Sequence, residues 1–109
     1  MTKPDSLQGS LDLLVLKILA RRPRLHGYAI MTAIKDTSGE VLRAEEGSLY
    51  PALHRMEHAG WITAEWQVTA NNRRARLYRI TRAGQKRLDD EREKWDRLAK
   101  AVGKVLRFA

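Results

Sequence analysis

The chain has 109 residues and no cysteine; this bounds it to one domain with a modest core and excludes a disulfide framework, thiolate catalysis and cysteine-based zinc fingers. Twenty-one Lys and Arg against 13 Asp and Glu give a formal charge of +8, so an anionic partner is expected, with DNA, RNA and a membrane surface all open on composition alone. With 43% hydrophobic residues, no signal-peptide pattern in residues 1–6 and no run of the roughly 18 apolar residues a membrane span needs, a folded cytoplasmic module is expected.

Leu11, Leu13, Leu14, Val15, Leu16, Ile18 and Leu19 are apolar on most faces of a helix, which predicts a buried helix over residues 10–21. Ser10 is its candidate N-cap, Asp12 suits its positive end, and Arg21-Arg22-Pro23 brings cations and then a stop. A second helix is predicted over 27–37, where Ala29, Ile30, Ala33 and Ile34 form an amphipathic stripe closed by Thr37-Ser38-Gly39. Val41-Leu42 is no more than a scrap of strand. A third helix is predicted over 46–59, with Leu49, Leu53 and Met56 as its apolar stripe and Gly60 as the residue after its end. Pro51 falls near the first turn, where a missing N–H matters little.

Residues 61–69 then alternate, with Ile62, Ala64, Trp66 and Val68 on one face, and 75–81 form the return strand. Residues 70–74 are the turn, where Asn71 and Asn72 tolerate positive φ. Trp61 and Trp66 read as structural, Trp66 on the inward face. The last helix is predicted over 82–107 with Thr81 as N-cap, at a length of roughly 35–40 Å. Leu88, Trp95 and Val102 are spaced by seven, Leu98 and Val105 take d positions of the same heptads, and Glu91 interrupts the first d position. That pattern is a dimer seam. Alternatively, paired Trp95 side chains would form a flat apolar site for a planar ligand.

The predicted class is mainly α with a small β-hairpin. Three helices and a hairpin make a winged helix-turn-helix DNA-binding domain over 7–81, followed by a C-terminal dimerisation helix over 82–109. In that arrangement the third helix enters the major groove and the hairpin lies against the backbone.

Between Gln67 and Leu88 stand Arg73, Arg74, Arg76, Arg79, Arg82, Lys86 and Arg87, with no acidic residue among them. Arginines at a hairpin tip suit phosphate or minor-groove contact; the bland alternative is a solvated basic turn. On the third helix, Ser48, Tyr50 and Arg55 lie between the core positions, with His54 beside them, and would meet phosphates or base edges. Two alternatives stay open: Arg55 paired with a carboxylate, and Tyr50 half buried. Gly27 and Tyr28 open the second helix, where Gly27 permits close backbone approach and a helix N-terminus attracts phosphate; the alternative is that Gly27 only turns the chain and Tyr28 packs. His54-Arg55-Met56-Glu57-His58 spells the inverted zinc-protease pattern. The sequence places no third ligand nearby, so no metal, no cofactor and no enzymatic activity are expected.

The sequence resembles the PadR-type transcriptional regulators, in the short subfamily with a single C-terminal helix. The specific stretch is Gly47-Ser48-Leu49-Tyr50-Pro51-Ala52-Leu53-His54-Arg55-Met56-Glu57 followed by Gly60. It is supported by Gly9-Ser10-Leu11-Asp12-Leu13-Leu14-Val15-Leu16, by His26-Gly27-Tyr28-Ala29-Ile30, and by Arg76-Leu77-Tyr78-Arg79-Ile80-Thr81 with Gly84. The resemblance implies a homodimeric repressor on a palindromic operator of double-stranded DNA. It implies Ser48, Tyr50, Pro51 and His54 at the DNA surface, Gly27 and Tyr28 near the backbone, and Arg73 and Arg74 in the wing. Some relatives bind planar small-molecule effectors at the dimer interface. Trp61 stands where an aliphatic residue is more usual, a packing variant. The alternative function is a basic RNA- or ribosome-associated winged-helix protein.

Overall fold

The computed structural model describes residues 4–108, with side chains from Ser10 onward. The order is α1 (Pro4–Arg21), α2 (Gly27–Thr37), α3 (Glu46–His58), β1 (Ile62–Val68), β2 (Arg74–Ile80) and α4 (Arg82–Leu106). The mainly helical class with one hairpin is thus observed. α2 has the predicted bounds. α1 is longer than predicted: Ser10 lies inside it rather than at its cap, and Pro4 opens it, where a proline sacrifices no helical hydrogen bond.

Local chemistry sets the element ends. Gly60 takes φ +84° after α3, a left-handed turn that stops a helix. Asn72 takes φ 61° in the wing turn, as an asparagine tolerates. Thr81 caps α4: its Oγ1 accepts from the Gly84 N–H at 3.0 Å and donates to the Gly60 carbonyl at 2.7 Å. One threonine therefore closes the start of α4 against the end of α3. Val41 and Leu42 form no strand.

The core is one cluster. Leu11, Val15, Leu16 and Leu19 of α1 meet Ile30 and Ile34 of α2, Leu49, Leu53 and Met56 of α3, and Ile62 and Tyr78 of the hairpin. The strands pair antiparallel with Ala64 opposite Tyr78 and Trp66 opposite Arg76. On its other edge, Tyr78 exchanges two backbone hydrogen bonds with Leu25, of 2.8 and 3.1 Å. The loop before α2 is thereby fastened to the wing.

Two tryptophan and leucine placements differ from the sequence reading. Trp66 is not inward: it is 56% exposed, because the hairpin leaves the core beyond Ala64. Leu88 is not on a dimer seam: it is 3% exposed and belongs to the core. Only the first turns of α4 lie on the body, so Gly84 and Leu88 are its buried residues. The rest of this roughly 37 Å helix projects, and the molecule measures 61 × 28 × 26 Å. Its radius of gyration of 15.5 Å exceeds the ~13 Å of a compact chain this long. On the projecting part Trp95, Leu98, Val102 and Val105 are exposed, joined by Leu106 and Phe108. Glu91, the interruption in the heptads, is neutralised within α4 by Arg87 at 2.9 Å and Lys94 at 3.7 Å.

Candidate nucleic-acid interface

A cleft of about 490 Å³ opens between the start of α2, α3 and the wing. Its walls include Gly27, Tyr28, Tyr50, His54, Arg74 and Arg76, so six of the ten DNA-contact candidates converge there. Ser48 and Pro51 are exposed on α3 outside its lining, and Arg73 is exposed beside the wing turn.

Tyr50 has its place because of Gly27. A Cβ built on Gly27 would lie 2.7 Å from Tyr50 Cε1 and 2.8 Å from its hydroxyl. The missing side chain lets the phenol lie over the start of α2, which leaves Tyr50 half exposed. Tyr28 beside it is largely exposed and does not pack into the core. Leu49, Leu53 and Met56 are fully buried, so α3 turns Ser48, Tyr50 and His54 outward as its stripe predicts.

Arg55 faces another way. Its Nη1 and Nη2 donate to the two carboxylate oxygens of Asp12 on α1, at 2.8 and 2.9 Å. The hydrogen bond to Asp12 holds the Arg55 pKa above the ordinary arginine value, against a partial desolvation. Of the two readings the sequence left open, carboxylate pairing is the observed one. The guanidinium is occupied in fixing α3 to α1 rather than free to read a base.

Arg76 is also paired, with Glu57 of α3 at 2.7 Å. It stands opposite Trp66 in the strand register. Its guanidinium carbon is 5.3 Å from the Trp66 ring centre, and that of Arg74 is 4.4 Å from the same ring. Both distances suit a cation–π contact. Burial pushes the Tyr78 phenol up from its ordinary pKa, opposed by the nearby Arg76 charge. Among the described residues Arg73 and Arg74 have no ion-pair partner. The face therefore offers aromatic surface, two unpaired wing cations and an open helix face, which together suit a phosphate backbone and exposed base edges.

The cleft includes four residues the sequence reading did not place there: His26, Trp66, Ala75 and Tyr78. The signal for Trp66 was available in the hairpin register. A tryptophan opposite one arginine and diagonal to another lies toward the charged end of the hairpin rather than its apolar base. His26 and Tyr78 owe their places to the Leu25–Tyr78 bridge, a long-range pairing that no local pattern announces. The histidines of the zinc-like pattern, His54 and His58, are exposed, and Glu57 between them is held by Arg76. Among the described residues no three acidic or histidine side chains gather to hold a metal ion, and no helix is long and apolar enough to cross a membrane.

Residues 15–90 match the Transcriptional regulator PadR-like family. The chain is 40% identical over 68 residues to the transcriptional regulator Rv3488 of Mycobacterium tuberculosis, an alignment covering 62% of this chain and 63% of that one. A transcriptional regulator from Clostridium thermocellum superposes with a TM-score of 0.83 at 29% identity, covering 92% of this chain and 96% of the other. Bacillus subtilis PadR in complex with operator DNA superposes with a TM-score of 0.66 at 28% identity, over 73% of this chain and 45% of that protein. These relatives are transcriptional regulators, not enzymes, and the winged-helix fold of the two solved structures is the one described above. The chain belongs to the Transcriptional regulator PadR-like family.

Proposed function

We propose that the protein is a homodimeric repressor that binds a palindromic operator in double-stranded DNA. The observation that carries this reading is the convergence of Tyr28, Tyr50, His54 and Arg74 on one cleft between α2, α3 and the wing. α3 would lie in the major groove, presenting Ser48, Tyr50, Pro51 and His54. Gly27 and Tyr28 would meet the backbone at the start of α2, and Arg73 and Arg74 would contact phosphates from the wing. Arg55 and Arg76, each bonded to a carboxylate, would shape this surface rather than read it. The operator complex of the Bacillus subtilis relative supports the assignment of partner.

The winged helix-turn-helix over 7–81 would carry recognition, and the helix over 82–109 would join two chains through Trp95, Leu98, Val102 and Val105. Pairing along α4 would set two α3 helices against half-sites one helical turn apart, about 34–36 Å. A planar effector stacked on the paired Trp95 side chains would alter that spacing and release the operator.

Selection from random duplexes tests the reading. The expected product is an inverted repeat with half-sites about 10 base pairs apart. Structured RNA that competes as well as the selected duplex would overturn it in favour of an RNA-associated protein.

A further inference from the structure

Building on the DNA-binding reading, we propose that Glu57 is a positioning residue that locks the wing to α3. Glu57 sits near the C-terminal end of α3, and its Oε2 accepts from Arg76 Nη2 on β2 at 2.7 Å. Both side chains are mostly buried. Glu57 Oε1 and Arg76 Nε are buried without a partner. One charge-assisted bond therefore sets the orientation of both groups.

The bond joins the two elements that would touch the duplex at separate places. Beyond it the chain of contacts runs outward. Arg76 lies against the Trp66 ring and, at 5.8 Å, the Tyr78 ring. Trp66 in turn carries Arg74, the nearer of its two cations. Glu57 thus fixes one guanidinium, that group and the indole fix each other, and the indole supports the wing cation that has no acidic partner of its own. A duplex needs α3 and Arg74 at a constant separation, since the groove and the phosphates beside it are at a constant separation. Glu57 supplies that constancy without touching DNA.

This role has a sign opposite to simple electrostatics. A carboxylate beside a polyanion site is repulsive, so charge alone predicts that its removal tightens binding. Positioning predicts the reverse. The experiment is fluorescence anisotropy of a labelled mixed-sequence duplex with the full chain, at several salt concentrations. We expect Glu57→Gln to weaken binding by roughly three- to tenfold, the weight of one ordinary hydrogen bond, since the amide oxygen can still accept but without the charge. The slope of log K against log salt should also fall by about 0.9, the share of one neutralised phosphate, as Arg74 leaves its place. Glu57→Asp keeps the charge but shortens the reach, and it too is expected to weaken binding; it serves if the glutamine variant does not fold. Glu65→Gln removes an exposed wing carboxylate and is expected to leave binding unchanged or tighter. Unchanged or tighter binding by both Glu57 variants would overturn the lock while leaving the DNA reading intact. A wild-type chain that ignores duplex DNA would overturn the reading beneath it.

Discussion

Arg55 of α3 grips Asp12 of α1 with two nitrogens on two oxygens, at 2.8 and 2.9 Å, across 43 positions of sequence. Asp12 is nearly buried, its side chain 12% exposed, whereas that of Arg55 is 45% exposed. The two partners are therefore unequal. Removing Arg55 strands a carboxylate, which when fully buried costs more than the ~1–3 kcal/mol of a neutral group; water entering the space that the half-exposed Arg55 vacates brings the expected loss down to about 1 kcal/mol. Asp12→Ala leaves a guanidinium that water can solvate and should be milder. Urea unfolding of the two single variants and the double variant checks this. An Arg55→Ala protein that keeps full stability but loses sequence selectivity would return Arg55 to base reading.

Gly27 and Gly84 make opposite predictions from one kind of substitution. A Cβ on Gly27 meets the far end of the Tyr50 ring, which can swing aside. Gly27→Ala should change stability by less than about 1 kcal/mol yet weaken duplex binding, because the phenol leaves its place over α2. A Cβ on Gly84 would run into the Trp61 carbonyl and press on Ile80. Neither can yield without moving the start of α4 off the hairpin. Gly84→Ala should be destabilising by about 1–3 kcal/mol or more, as overpacking generally is. Thermal melts of both variants beside duplex titrations of Gly27→Ala separate the two effects.

These contrasts show what the sequence could announce. Gly60, Asn72 and Thr81 act on their immediate neighbours, so their residue types alone disclosed the end of α3, the wing turn and the α4 cap. The apolar stripe of α3 likewise settled which side chains turn outward. Arg55 and Leu88 depended on distant partners. Arg55 looked free because Asp12 lies on another helix. Leu88 occupies the same heptad position as Trp95 and Val102, yet only the first turns of α4 rest on α1, so one stripe divides between core and surface. Periodicity gives a face, not the point where a neighbour stops covering it.

The wing makes a prediction about salt. Arg73→Ala with Arg74→Ala should lower affinity for all duplexes, operator or not, because phosphates carry little sequence information. The slope of log K on log salt should flatten by about 0.9 for each phosphate that is no longer neutralised. Tyr50→Ala should instead harm operator binding more than binding to a mixed-sequence duplex, with little loss of stability, since the ring is half exposed. If its melting temperature collapses, Tyr50 is a core residue. If the arginine pair leaves the mixed-sequence affinity unchanged, the wing does not meet the backbone.

The division within α4 separates folding from assembly. Leu98 and Val102 stand on the projecting part, with Trp95 one turn before and Val105 one turn after. Leu98→Asp or Val102→Asp should dissociate a dimer built on this face, since a carboxylate would be buried without a partner. The 12.5 kDa chain would then run as a monomer in light scattering with its helical content and core melting retained. Leu88→Ala should do the converse. It empties space inside the core and is expected to destabilise the fold by about 2–5 kcal/mol, with no direct effect on pairing of the folded chains. Operator affinity should fall steeply in the two aspartate variants, because a lone α3 forfeits the second half-site. A wild-type protein already monomeric at micromolar concentration would remove the seam, and with it the requirement for a palindrome.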